Sequence, residues 1–127
     1  MVFLSRALLQ EVVCKRSTGL AGLKVCTRPK HILTFLYGKT LRALNKLPED
    51  SAYKCHTEEI ITWRLNIVKN AKTPEEVEEQ IDCGQVEELI IQAENELALA
   101  RKMLHWKPWE PLIEEAPPDQ WKWPMKT

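Results

Sequence analysis

The adjacent pair Cys55-His56 is the arrangement in this sequence that comes nearest to a catalytic site, because a histidine can activate a cysteine thiol as a nucleophile. On a helix, however, neighbouring residues project about 100° apart, which turns the imidazole away from the thiol. The chain's four cysteines, Cys14, Cys26, Cys55 and Cys83, include no CxxC pair. Zinc-ribbon spacing and a recurrent disulfide framework are therefore absent from the sequence, and the pattern is typical of free thiols in a reducing compartment. We predict no catalytic residue.

Two other patterns do not form a phosphate or metal site. Residues 38–40, GKT, resemble the end of a phosphate-binding loop, but that loop requires a glycine where this chain has Leu33. The three histidines, His31, His56 and His105, lack metal-ligand spacing, and no Glu-x-x-His pair of the di-iron type is present. The sequence predicts neither a cofactor nor a metal site.

Aromatic residues are concentrated at the C-terminus. Residues 106–124, WKPWEPLIEEAPPDQWKWP, hold four of the chain's five tryptophans and five of its eight prolines. The prolines end the preceding helix and favour an extended chain. Four indoles can bury roughly 600–1,000 Å², which is comparable to one side of a standard protein interface.

The tryptophan-rich segment is therefore the candidate binding site. We expect Trp106 and Trp109 mainly to close the end of the folded domain, and Trp121 and Trp123 mainly to contact a partner. With Glu110, these four tryptophans are the predicted partner-binding residues.

Length and charge restrict what positions these residues. A chain of 127 residues has room for one modest core, and no apolar run approaches the roughly 20 residues of a membrane span. The net charge of zero conceals a division: residues 1–47 carry nine Lys and Arg against the single acid Glu11, and the rest carries nine against seventeen acids. The basic residues are spread out, so nucleic-acid binding is not indicated.

The basic, acid-poor and hydroxyl-containing residues 1–28 are typical of a mitochondrial targeting segment. A basic N-terminus without a targeting role is the alternative. We expect three regions: this arm, a helical bundle at 29–106 and an extended docking tail at 107–127.

Four segments carry helical signals. Pro29 suits a first helical turn, and the first helix should end before Pro48. Ser51 can cap a second helix that runs to about residue 70. The sequence TPEE at 73–76 is a capping box that opens a short acidic helix ending near 83–84, and the longest helix should span about 85–106.

Apolar residues recur at helical spacing in the three long segments. The sets are Leu33, Leu36, Tyr37, Leu41, Leu44 and Leu47; Tyr53, Ile60, Ile61, Leu65 and Val68; and Val86, Ile90, Ala93, Leu97, Ala100 and Leu104. Glutamates of the last helix, Glu87 included, are expected to be solvated or to face a partner. Short loops favour antiparallel neighbours, so we predict an all-α fold: a small up-down-up three-helix bundle with a short acidic helix and a Trp/Pro-rich tail.

The stretch ARKMLHWKPWEPLIEEAPPDQWKWP, residues 100–124, closely resembles the C-terminal signature of a family of mitochondrial complex I accessory subunits, alpha subcomplex subunit 5 of NADH:ubiquinone oxidoreductase. The resemblance continues through GQVEELIIQAENELALARKM, FLYGKTLRALNKLPEDSAYK and KRSTGLAGLKVC, so it covers about residues 15–124. It implies a non-catalytic helical subunit on the matrix-side peripheral arm, peripheral to the inner membrane, that contacts other complex I subunits. It also implies that the chain supports respiratory electron transport without holding a flavin, iron–sulfur cluster or quinone.

The chain departs from that family at several positions. Residues 1–13 extend beyond the usual start, Cys55-His56 stands where a basic residue and tyrosine are typical, Cys83 replaces a glycine and Trp63 replaces a polar residue. Two other functions stay open. Leu36-Tyr37 resembles the Leu-Tyr-Arg adaptors that bind acyl carrier protein, although Gly38 occupies the place of the arginine. A Cys55- and His56-dependent enzyme is the second alternative.

Overall fold

The computed structural model describes residues 15–124, and within that range the chain is all-α, with four helices and no strand. The helices are α1 (Pro29–Leu44), α2 (Ala52–Asn70), α3 (Pro74–Ile81) and α4 (Val86–Trp106). The predicted fold class is confirmed.

The helix starts follow the capping residues. Pro29 occupies the first turn of α1, and the Ser51 hydroxyl accepts a hydrogen bond from the Lys54 amide at the start of α2. Thr73 caps α3 by accepting from the Glu76 amide, but the Glu76 carboxylate accepts from the amide of Lys72 rather than from that of Thr73. The capping box predicted at residues 73–76 is therefore displaced by one residue on its carboxylate side.

The first helix is shorter than predicted. It ends at Leu44, and a turn in which the Leu47 amide donates to the Leu44 carbonyl at 3.0 Å brings Leu47 back into the core. The turn between α3 and α4 uses left-handed backbone at Asp82 (φ 54°) and Gly84 (φ 99°). A side chain at Gly84 would be strained by that backbone, which accounts for glycine there.

Helix α1 lies at the centre of the bundle and packs extensively on both α2 and α4. Leu44 at the end of α1 contacts Ala100 near the end of α4, so these two helices run in the same direction. Helix α2, which lies between them in the chain, runs in the opposite direction. Its Tyr53 hydroxyl donates to the Glu96 carboxylate of α4. This is the predicted up-down-up arrangement, with α3 completing the return from α2 to α4.

The core contains most of the predicted apolar residues, but two of them were assigned wrongly. Ile60 is 52% exposed because the buried face of α2 passes through its neighbour Ile61, about 100° around the helix. Leu104 is 37% exposed because it lies one turn beyond Ala100, at the level where α1 ends. Conversely Leu89, which the sequence pattern omitted, is fully buried.

Residues 15–28 pack against the start of α4. The Lys15 ammonium donates to the Glu87 carboxylate at 2.6 Å and to the Gln85 amide oxygen at 2.7 Å, and the Cys26 amide donates to Glu87 at 3.2 Å. The Gln85 side chain donates in turn to the Thr18 carbonyl. Residues 1–14 of the predicted targeting segment lie outside the described residues.

Glu87 is buried, so the expectation that it would be solvated is wrong. Its burial raises the pKa of the carboxyl group, but the hydrogen bonds from Lys15 and from backbone amides outweigh this effect and leave the pKa below its ordinary value. The cost of burying the Glu87 carboxylate is offset in part by a hydrogen bond from Lys15, which lies 72 residues earlier in the chain.

The lowered pKa of Glu87 predicts acid-sensitive stability. A carboxyl group with a lower pKa in the folded protein stabilises it fully above the unfolded-state pKa, here near 4.5, and this stabilisation is lost as the pH falls through the folded-state pKa. We expect Glu87→Gln to make the free energy of unfolding less dependent on pH below about 4.5, as measured by urea unfolding across that range. The exposed Glu94→Gln serves as the control, and an equal change in both variants would contradict the role of Glu87.

Candidate partner-binding surface

Two turns follow the end of α4. Lys107 adopts left-handed backbone (φ 50°), and its amide donates to the Met103 carbonyl at 3.1 Å. The Glu110 amide then donates to the Lys107 carbonyl at 3.1 Å, which closes a turn around Trp109. Two successive turns therefore determine where the first tryptophans of the C-terminal tail, residues 107–124, are placed.

Trp106 and Trp109 lie in different environments. Trp109 is half-buried against the small apolar cluster of Leu44, Leu47 and Ala100, and it covers this end of the bundle. Trp106 is 61% exposed, so it does not share in closing the bundle end as expected. The left-handed residue Lys107 explains the difference, because the chain reverses between the two indoles.

The remaining predicted anchors are almost fully exposed. Trp121 and Trp123 are 90% and 86% exposed, and Leu112 and Ile113 before them are also uncovered. This much exposed apolar side chain in one short segment is characteristic of an interaction site rather than of an isolated surface. The structure leaves these side chains available to another protein.

The tail turns where the sequence predicted extended chain. The Gln120 amide donates to the Pro117 carbonyl at 3.3 Å, and the Lys122 amide donates to the Asp119 carbonyl at 3.1 Å. Asp119 has a positive φ of 66°, and its carboxylate pairs with Lys122 at 2.6 Å. The turn places a polar, charged segment directly before Trp121.

Acidic side chains surround the exposed apolar residues of the tail. The exposed acids of this segment are Glu110, Glu114, Glu115 and Asp119. Asp119 is the one acid of the tail with an ion-pair partner in the described part of the chain. The tail thus combines apolar anchors with an acidic periphery, a composition suited to a partner with a basic rim.

A second surface lies between the C-terminal halves of α1 and α4. It is a groove of about 600 Å³, which we term the basic groove, lined by Lys39, Arg42, Lys46, Arg101 and His105 over an apolar floor of Ala43, Ala100 and Leu104. This groove was not predicted from the sequence. The spacing of Lys39 and Arg42 on α1 is a local signal for part of this surface. Lys46 lies in the turn after α1, and the other basic residues lie on α4, so their contribution depends on the packing.

The candidate catalytic pair does not form a site. Cys55 and His56 are both exposed in the first turns of α2, and no hydrogen bond joins them. Cys83 lies elsewhere, with the Arg64 guanidinium 3.6 Å from its sulfur. Within residues 15–124, no group of three His, Cys, Asp or Glu side chains is placed to hold a metal ion.

The residues that resemble an adaptor motif belong to the core. Leu36 is buried and Tyr37 is fully buried between the helices. Burial raises the pKa of the Tyr37 hydroxyl, and the neighbouring Arg64 guanidinium offsets this only in part. A partner could not reach Tyr37 without opening the bundle, so the geometry does not favour the adaptor function.

None of the helices in the described range is both long and apolar enough to cross a membrane. The two candidate surfaces, the tail and the basic groove, both lie near the C-terminal ends of α1 and α4.

Comparison with known proteins identifies related chains. Residues 22–88 match a family described as "ETC complex I subunit conserved region". The chain is 51% identical over 111 residues to NADH dehydrogenase (ubiquinone) 1 alpha subcomplex subunit 5 of Bos taurus, covering 87% of this chain and 96% of the relative. It is 43% identical over 123 residues to the probable subunit 5 of Caenorhabditis elegans, covering 97% of this chain and 82% of that one. A probable mitochondrial subunit 5 of Arabidopsis thaliana is 42% identical over 106 residues, covering 84% of this chain and 62% of its own length.

Proposed function

The chain belongs to the alpha subcomplex subunit 5 family of mitochondrial complex I accessory subunits, and we propose that it docks through its C-terminal tail on other subunits of the matrix-side peripheral arm. It acts there without catalytic groups of its own and supports the transfer of electrons from NADH to ubiquinone by stabilising the assembled complex. Its location is the inner membrane, where the complex holds it on the matrix side.

The observation that carries this proposal is the exposure of Trp121 and Trp123. Large aromatic side chains dominate the binding energy of protein interfaces when they enter pockets on a partner. Leaving two indoles in water has no structural use for the bundle, because the adjacent Trp109 already covers its end. The contact is therefore with another subunit.

The absence of catalysis rests on the geometry of the candidate groups. Cys55 and His56 are exposed side by side without a mutual hydrogen bond, whereas a catalytic nucleophile requires a base within hydrogen-bonding reach. A scaffold role needs only a stable bundle and a docking surface. The helices form the bundle, and the exposed tryptophans of the tail support the proposed docking surface.

The proposal predicts where the chain resides after complex I is taken apart. We expect a tagged chain, expressed in cells that lack their own subunit 5, to co-migrate with complex I on native gels and to restore assembly. After mild dissociation of the complex into its two arms, quantitative mass spectrometry should find the chain with the peripheral arm. Recovery of the chain in the membrane arm, or only as free protein, would contradict the proposed position.

A further inference from the structure

We propose that the basic groove binds an acidic, partly apolar segment of a second complex I subunit, as a docking site separate from the tail. The inference rests on the proposed function, since it assumes that the chain is held in the complex. The basic groove would give the chain a second contact, made with a segment that carries both carboxylates and apolar side chains.

The basic groove carries positive charge without acidic partners. Four Lys and Arg side chains and one histidine line the groove, from α1, the turn after it and α4, and no acidic side chain lines it. The ion pairs of the described residues lie elsewhere, joining Lys15 to Glu78 and Glu87, and Lys122 to Asp119. A chain with net charge zero thus leaves one concave surface positively charged and unneutralised. Concave surfaces lined by one sign of charge attract partners of the opposite sign.

The floor of the groove is apolar. Ala43 presents a small, partly exposed side chain, which allows another backbone to approach closely, and Leu104 adds a partly exposed apolar wall. At one side the Lys39 ammonium lies 4.4 Å from the centre of the Phe35 ring, so an exposed aromatic ring flanks the basic rim. A ligand must therefore satisfy an apolar floor and a cationic rim together.

These two features favour a protein segment over a phosphate-bearing ligand. A helix or strand that carries carboxylates along its sides and apolar side chains between them fits both the rim and the floor. A free phosphate would neutralise the rim but leave the apolar floor uncovered.

The chain's own tail has a similar composition, with Leu112, Ile113, Glu114 and Glu115 in sequence. These residues are exposed, and the tail leaves the basic groove open. The occupant we infer is therefore a segment of another subunit, and binding of the tail is a distinct outcome that an experiment can recognise.

Photo-crosslinking in the intact complex identifies the occupant directly. A tagged chain with the photoreactive residue p-benzoylphenylalanine in place of Leu104 is assembled into complex I and irradiated, and the crosslinked peptides are sequenced. We expect a peptide from another subunit in which Asp and Glu outnumber Lys and Arg. A crosslink to residues 110–119 of the same chain, a lipid adduct, a basic peptide, or no crosslink in a fully assembled complex would each overturn the proposal.

Charge substitution tests the groove independently. We expect Arg42→Glu/Arg101→Glu to lower incorporation into complex I at least tenfold, and Arg42→Gln/Arg101→Gln to lower it by a smaller factor. The control Lys24→Glu/Lys69→Glu changes the net charge equally at exposed sites outside the groove and should stay within twofold of the unmodified chain. Melting temperatures of the free proteins verify that each variant folds.

The outcomes separate this inference from the proposed function. If the unmodified chain enters the peripheral arm and both groove variants enter it equally well, the groove proposal is wrong and the docking proposal stands. If the unmodified chain does not enter the complex, the proposed function itself fails. Equal losses in the groove and control variants would indicate a general charge effect and would also overturn the groove site.

Discussion

Replacing Trp121 and Trp123 together with alanine should sharply weaken docking on complex I while leaving the free protein stable. Both indoles are almost fully exposed in the free chain, so their removal costs the bundle few contacts. At an interface, truncating a buried aromatic anchor commonly costs about 2 kcal/mol or more, which corresponds to about thirtyfold in affinity for each residue. Native gels of rescued cells measure incorporation, and thermal melts of the purified chain measure stability.

The matched control is Trp63→Ala, the same substitution at a half-exposed tryptophan of α2 outside the tail. We expect Trp63→Ala to incorporate normally. A double tail variant that melts many degrees lower, yet docks normally in its folded fraction, would place the two indoles in the chain's own core. Normal docking with normal stability would remove the tail from the interface.

The acidic residues of the tail should contribute less than the tryptophans. Charges at the rim of an interface mainly change the rate of association and its dependence on salt. Glu114 and Glu115 are exposed, without ion pairs in the part of the chain that the structure describes. We therefore expect the indoles to supply most of the binding energy and the acids to steer association.

The helices were predictable because their signals are local. Ser51 and Thr73 each accept a hydrogen bond from an amide three residues on, and the helices they cap begin where the sequence indicated. Proline at the start of α1 and of α3 gives the same information. Caps and prolines act within one helical turn, so their effect does not depend on tertiary structure.

Glu87 and the basic groove were not predictable in this way because both depend on distant parts of the chain. A glutamate in the first turn of a helix is usually solvated, and the partner that compensates the burial of Glu87 is Lys15, from the N-terminal arm. The groove combines residues 39–46, from α1 and the turn after it, with residues 100–105 of α4. Spacing within a helix reveals one wall of such a surface, and only the packing of two helices supplies the other.

The tail shows the same division between local and tertiary information. Its prolines, Pro108 and Pro111, correctly indicated that α4 ends near Trp106. The different exposure of Trp106 and Trp109 follows from the left-handed backbone at Lys107. Residues other than glycine rarely adopt this backbone conformation. A lysine does not predict such a turn. Trp106 and Trp109 were therefore predicted to share one role, although the structure places them in different environments.

Leu89→Ala should destabilise the bundle much more than Leu104→Ala, although the helical pattern of the sequence placed Leu104 in the core and omitted Leu89. Leu89 is fully buried, and truncating a buried leucine typically costs about 2–5 kcal/mol through lost contacts and the cavity left behind. Leu104 is 37% exposed, so the same truncation should cost about 1 kcal/mol or less.

The two variants are matched in helix and in chemistry, so the difference between them reports packing rather than helix propensity. Urea unfolding followed by circular dichroism gives the free energy of unfolding of each. A loss of about 2 kcal/mol or more is a large part of the 5–15 kcal/mol that usually holds a domain folded, so it is readily resolved. If Leu104→Ala proves as costly as Leu89→Ala, then Leu104 is a core residue, and α4 packs on α1 through the face that the sequence indicated. The apolar wall of the basic groove would then be closed rather than open to a partner, because Leu104 forms part of it.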